Sequence, residues 1–309
     1  MSEPSSFRCA PLPLVVLGGR DRRGTELPTD ARQLHHLEGY KGAELQLDGR
    51  PLIEVNLERL RSVGAFDPIF VAGPRRVYGN ITAGAEIIDT DGSFADNLRA
   101  ALEVFAQRTG GDGPVVFTTC DIVPDPDELR HALADLDTRW PVDFWMPQVR
   151  IPQRDDELGS SSYKPRYRLQ PHGGGEAVPI LPSHFILGWP RGIRIRFVLK
   201  LFEFLYRTRN RSVGRRFAAV ALQLIPYFMI HEPRALLSGL RHAPILSLQL
   251  ARGRASADEM ERRLHRAFYR TDHRRAHPER RGYVPLLDAL SLARDIDTLE
   301  EASELADEL

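Results

Sequence analysis

The sequence predicts an α/β protein with a mainly parallel sheet and a helical insertion. Three observations carry this. Short, continuously apolar runs end in glycine or acidic turn residues, and helix-patterned stretches alternate with them through roughly the first 150 residues. That style then gives way to a basic, helix-rich segment and returns only in the last 20 or so residues. Strands apolar along their whole length fit a sheet covered by helices on both faces.

The elements follow in order. Residues 13–17 (PLVVL) read as a strand running into Gly18-Gly19, and residues 53–63 have helical spacing and stop at Gly64. Residues 68–72 and 86–88 are strands ending at Gly73-Pro74 and at Asp89. Residues 97–105 read as a helix, residues 114–119 as a buried strand, and residues 127–136 as a helix whose acidic start suits its dipole. Residues 159–175, rich in Ser, Gly, Pro and basic side chains, read as a loop. Residues 193–267 are helical in character, with apolar faces interrupted by Arg pairs and by Pro226, Pro233 and Pro244. The expected division is a core of residues 1–190 plus 282–309, interrupted by a basic helical insertion, 191–281.

Composition narrows the function. The 309 residues carry 42 Lys/Arg and 42 Asp/Glu, and this zero balance argues against a protein that coats nucleic acid. The balance is uneven along the chain: residues 191–281 hold 21 basic and 7 acidic side chains, a net +14. Cys9 and Cys120 are too few for a disulfide framework or a cysteine metal cluster, which fits a reducing, cytoplasmic setting. The start lacks the basic and apolar blocks of an export signal. The most apolar later stretch, 217–230, is shorter than the roughly 20 residues a membrane span needs. A cytoplasmic protein is expected, with peripheral membrane contact open to the insertion. There, apolar clusters alternate with Arg207, Arg209, Arg211, Arg215 and Arg216.

Five segments have the residue types for phosphate chemistry. Leu17-Gly18-Gly19, followed by Arg20 to Gly24, places backbone N–H groups and guanidinium charge after the first strand. Lys41 precedes Leu47-Asp48-Gly49-Arg50-Pro51-Leu52, and a lysine there can neutralise a polyphosphate. Gly92-Ser93-Phe94-Ala95-Asp96-Asn97 opens a helix, and capping alone accounts for Ser93 or Asp96. Asp121 ends a buried strand, where α/β sheets bind ligands. Asp295-Ile296-Asp297-Thr298 precedes two glutamates and also reads as a helix cap.

In this order the five segments resemble the MobA-like nucleotidyltransferases, over about residues 1–150 and 283–309. The resemblance implies a Rossmann-like, three-layer nucleotide-diphospho-sugar transferase (GT-A-type) fold. It implies that Leu17, Gly18, Gly19, Arg23, Lys41, Gly92 and Asn97 bind a nucleoside triphosphate. Asp121 and Asp297 would hold Mg²⁺, with Arg23, Lys41 and Asp121 as the catalytic set. A phosphorylated small-molecule or lipid-like acceptor would attack the α-phosphorus and release pyrophosphate. Asp21 stands where the family has Gly or Ser, and the Arg23–Lys41 spacer is longer than the family's. A glycosyltransferase of related fold and a non-catalytic nucleotide-binding descendant remain alternatives. Lys164, Arg166 and Arg168 are candidates to meet the acceptor's charge, or to form a solvated loop. His273 and His277, four apart, have the spacing of a helical metal pair but read as charged surface in their Arg-rich stretch.

Overall fold

The structure, a computed structural model, describes residues 7–20, 39–82, 84–152, 158, 166–207, 229, 242, 245–246, 248–250 and 252–308. Most of the apolar and proline-marked part of the insertion, including 217–228, Pro233 and Pro244, lies outside these residues.

Strand β1 (Leu12–Leu17) is central. Its side chains alternate between two cores, as the two-residue period of a strand requires. Leu14 and Val16 pack in one cluster with Leu57 and Leu60 of helix α2 (Leu52–Ser62) and with Leu129, Leu133 and Leu136 of α5 (Pro126–Arg139). Val15 and Leu17 pack on the other face with Ala101 and Phe105 of α4 (Phe94–Thr109). Each fully buried aliphatic side chain contributes roughly 1.5–3 kcal/mol, so this two-sided burial fixes a helix–sheet–helix sandwich.

Between β1 and α2 the chain forms α1 (Lys41–Glu44) and a hairpin of β2 (Gln46–Leu47) and β3 (Arg50–Pro51). Asp48 and Gly49 have φ of 50° and 73°, the pair of positive angles that a two-residue hairpin turn demands. Then come β4 (Phe66–Gly73), α3 (Arg75–Tyr78) and β5 (Glu86–Asp89), followed by α4. A capping box opens α4: Ser93 Oγ accepts from Asp96 N–H, and Asp96 Oδ2 accepts from Ser93 N–H at 3.1 Å. Next are β6 (Val115–Thr119), α5, β7 (Phe144–Trp145) and β8 (Gln148–Arg150). After them run β9 (Tyr167–Leu169), β10 (Val178–Pro182), β11 (Ile186–Gly188) and α6 (Ile195–Arg207). Helices α7 (Ala257–Phe268) and α8 (Thr271–Ala276), strands β12 (Gly282–Tyr283) and β13 (Leu286–Leu287), and helix α9 (Leu299–Glu308) complete the described elements.

The seven-stranded sheet has the order β12-β7-β11-β6-β1-β4-β5, with only β11 antiparallel to its neighbours. The chain moves from β1 outward through β4 and β5 and then returns to lay β6 on the other side of β1. The β1/β6 boundary is therefore a switch point, and a crevice opens beyond the carboxyl ends there. A second sheet, β13-β8-β10-β9, extends from the β7 side.

Two expectations need correction. The segment 159–175 contains strand β9, because its Tyr167–Leu169 pair in register with Ile180–Val178 of β10 and outweigh the local turn composition. His273 is not open surface: it is half-buried, and its Nε2 lies 2.7 Å from Oδ1 of Asp143. Asp143 is fully buried and also meets His265 Nε2 at 2.5 Å, so one carboxylate ties α7 and α8 to the start of β7.

Candidate functional site

Gly18 follows β1 and Asp121 follows β6, so the two flank the switch point. Backbone contacts fix both. Gly18 N–H donates to Ala72 O at 2.9 Å, and Cys120 N–H donates to Leu17 O at 3.2 Å. The segment after β6 is clamped twice more. Buried Asn56 donates to the Ile122 carbonyl at 2.5 Å, and Ile296 N–H donates to the Asp121 carbonyl at 2.7 Å. The second clamp brings the C-terminal Asp295–Thr298 segment against the end of β6.

Glycine is required after β1 by close packing. A Cβ on Gly18 would lie 2.8 Å from the ring of Tyr78, a fully buried side chain beneath the loop. A Cβ on Gly19 would lie 3.2 Å from Asn97 Nδ2. Asn97 is itself buried; its Oδ1 accepts from Thr90 Oγ1 at 3.0 Å and from Gly92 N–H at 3.2 Å. Its Nδ2 is buried without a hydrogen-bond partner among the described residues. Gly19, Gly92 and Asn97, separate in sequence, are thus gathered around one unspent donor.

Across the switch point, Asp121, Asp295 and Asp297 bring one carboxylate oxygen each to within 4.8 Å of one another. Lys41 Nζ contacts Asp297 Oδ1 and stands 3.9 Å from Asp121 Oδ2. Both Lys41 and Asp297 are buried. Burial raises the Asp297 carboxyl above its ordinary value and the negative charge of Asp295 adds to that, while Lys41 pulls the other way. Asp121 Oδ1 is buried without a hydrogen-bond partner among the described residues. Such an orphaned oxygen beside two further carboxylates suits a hard cation that takes oxygen ligands. Glu301 holds the segment: its carboxylate accepts from Asp297 N–H at 2.9 Å and from Thr298 N–H at 3.3 Å, and Thr298 Oγ1 caps Glu301 N–H at 3.1 Å. The segment thus caps its helix while Asp295 and Asp297 join the carboxylate cluster.

On the rim, Tyr40 OH donates to Asp91 Oδ1 at 2.7 Å, and Arg76 contacts both residues. Cys120, next to Asp121, is buried, which pushes its thiol up to about 12 and disfavours the thiolate.

The structure brings together Leu17, Gly18, Gly19, Lys41, Gly92, Asn97, Asp121 and Asp297 at this edge. Arg23, Asp21 and Lys164 lie outside the described residues. Arg166 is exposed just before β9, and Arg168 donates to the Ala177 carbonyl at 2.5 Å within the β9–β10 hairpin. Sequence reasoning missed Tyr78, Tyr40 and Arg76. Tyr78 carries no motif, and only its place after the Gly73-Pro74 strand end hints at it. Among the described residues no helix is long and apolar enough to cross a membrane.

No family model matches the sequence, and no curated protein matches it significantly. Solved structures do resemble it. A hypothetical transferase from Thermus thermophilus superposes with a TM-score of 0.57 at 20% identity, over 95% of this chain and 99% of that one. A nucleotidyl transferase from Methanothermobacter gives 0.42 at 13% identity, over 98% of each chain. A 4-diphosphocytidyl-2C-methyl-D-erythritol synthase from Anaerococcus prevotii gives 0.45 at 9% identity, over 97% of each. What the Thermus structure shares with this chain at that identity is its fold. The chain has the helix-covered, mainly parallel α/β sheet that the sequence predicts, in the fold of that Thermus transferase structure.

Proposed function

We propose that this chain is a Mg²⁺-dependent nucleotidyltransferase that moves a nucleoside monophosphate from a triphosphate to a phosphorylated acceptor. The observation that carries the reading is the meeting of Asp121, Asp295, Asp297 and Lys41 opposite the Gly18-Gly19 turn, across the sheet's switch point. Three carboxylates and an ammonium are a donor set for a metal-bound polyphosphate, not for an apolar ligand.

Backbone N–H groups of Gly18 and Gly19 would receive phosphate oxygens. Asn97 Nδ2 would donate to the nucleoside, and Lys41 would neutralise charge on the phosphates, a role the family resemblance also gives Arg23. Mg²⁺ held by Asp121 and Asp297 would supply charge stabilisation. An oxygen of the acceptor phosphate attacks the α-phosphorus, the α–β bridging P–O bond breaks, and pyrophosphate leaves with that electron pair. A phosphate acceptor is already ionised, so no general base is needed. The acceptor would be a phosphorylated small molecule or a lipid-like phosphate. The basic 191–281 segment, with Lys164, Arg166 and Arg168, is the proposed region for it and for any peripheral membrane contact.

A second reading has one observation in its favour. Asp295 and Asp297 form an acid-x-acid pair with both members in the cluster, as a glycosyltransferase holding a nucleotide-sugar would need. Turnover distinguishes the readings. Incubating the protein with each of the four triphosphates, Mg²⁺ and phosphorylated acceptors should release pyrophosphate. Release of nucleoside diphosphate from nucleotide-sugars instead would favour the glycosyltransferase. Nucleotide binding with neither release would leave a non-catalytic descendant.

A further inference from the structure

A second cluster of metal-ligating side chains lies away from the carboxylates at the switch point. After β9 the chain pairs Gln170 with Ser256, the cap of α7. Gln170 N–H donates to Ala255 O at 2.8 Å, and Ala257 N–H donates to Gln170 O at 2.9 Å. This bridge sets His172 against the first turns of α7. There His172 Nε2 lies 2.6 Å from Glu261 Oε1, and Asp258 brings a carboxylate oxygen into the same group. One ligand atom from each of His172, Asp258 and Glu261 lies within 4.8 Å of the other two.

We propose that His172, Asp258 and Glu261 form a second metal site, for a divalent transition-metal ion of the Zn²⁺ class. The donor set selects the ion. An imidazole with two carboxylates suits Zn²⁺, whereas the all-oxygen cluster of Asp121, Asp295 and Asp297 suits Mg²⁺. The ligands are also oriented from behind. Val284 N–H donates to Glu261 Oε1 at 2.8 Å, and Gly173 N–H donates to Asp258 Oδ2 at 3.1 Å. Ligating carboxylates are commonly held by such outer hydrogen bonds. Ligand bonds of about 2.0–2.2 Å in a tetrahedral site put donor atoms on the order of 3.4 Å apart. The His172–Glu261 contact would therefore open and the widest pair would close, each by about an ångström or so of side-chain motion. All three residues are partly exposed, which leaves water a fourth position. The ion would pin the loop after β9 to the start of α7, and through Glu261 to the entry of the C-terminal strands. This site does not depend on the nucleotidyltransferase reading.

The test is isothermal titration of chelator-stripped protein with Zn²⁺ and no nucleotide. It uses wild type, His172→Ala, Glu261→Gln and Asp121→Asn, with circular dichroism to confirm folding and His172→Gln as a second variant. One equivalent of Zn²⁺ should bind wild type and Asp121→Asn alike, and should raise their melting temperature. Affinity should fall by more than about tenfold in the His172 and Glu261 variants. Absent Zn²⁺ binding, equal affinity in the folded His172 and Glu261 variants, or loss confined to Asp121→Asn would overturn the proposal.

Discussion

Replacing Lys41 with Met keeps most of the side chain's apolar stem and removes its charge. Lys41 and Asp297 are 8% and 1% exposed, so the deletion strands a buried carboxylate beside those of Asp121 and Asp295. Removing one partner of a buried pair typically costs about 3–5 kcal/mol, and Lys41→Met should lose about 3 kcal/mol of unfolding free energy in urea at neutral pH. The same contact implies competition, since Lys41 Nζ occupies the Asp297 oxygen that a cation would use. Mg²⁺ should therefore stabilise the variant more than wild type. A cation at a hundred times its dissociation constant would return about 2.7 kcal/mol, nearly the whole loss. Urea unfolding of both proteins with and without Mg²⁺ measures both effects. A variant within about 0.5 kcal/mol of wild type, a difference typical of a surface substitution, would refute the buried pair. An equal Mg²⁺ effect on both proteins would refute the competition.

Three further outcomes are expected. Gly18→Ala drives a methyl group into the buried Tyr78 ring and should cost about 1–3 kcal/mol in urea unfolding; a neutral variant would mean the loop yields freely. Burial raises the Asp143 carboxyl, but hydrogen bonds from His265 and His273 more than offset this and leave it below the ordinary value. Its contribution is thus present above the unfolded value near about 3.9 and lost as pH falls through the lower folded value. Asp143→Asn should cost about 1.5–3 kcal/mol at pH near 6 and less as acid is added; parallel stability–pH curves from pH about 6 to 3 would contradict this. Asp297→Ala should abolish pyrophosphate release while Asp295→Ala keeps part of it, because the Asp297 carboxylate is in direct contact with Lys41; the reverse ranking would move the metal position two residues.

The parts of the fold legible in sequence are those where one segment states its own environment. The run of β1 is apolar throughout, and that of β6 up to its two closing threonines, because helices cover both faces; Gly18 and Asp121 follow them at the switch point. Ser93 and Asp96 signal the start of α4 by their three-residue spacing. The far side of the sheet was not legible. β7 and β12 have two residues each, and β12 pairs with β7 from across the insertion, so no local pattern reports them. The same holds for Asp143, whose histidine partners lie 122 and 130 positions away. Within the site, the glycines and Asp121 could be read from strand ends. Asp295 was visible yet ranked below Asp297, because alignment of a short motif does not show which carboxylates share a space. Tyr78 was hinted at only by its place after the Gly73-Pro74 strand end, since close approach to a glycine creates no motif around the tyrosine.

The account rests on Asp121 linking a divalent cation to a triphosphate. Isothermal titration of wild type and Asp121→Asn with each of the four nucleoside triphosphates, with and without Mg²⁺, measures that link. At least one triphosphate should bind wild type more tightly with Mg²⁺, and Asp121→Asn should lose that gain while remaining folded. Equal affinities and unchanged Mg²⁺ dependence in the two proteins would contradict the account.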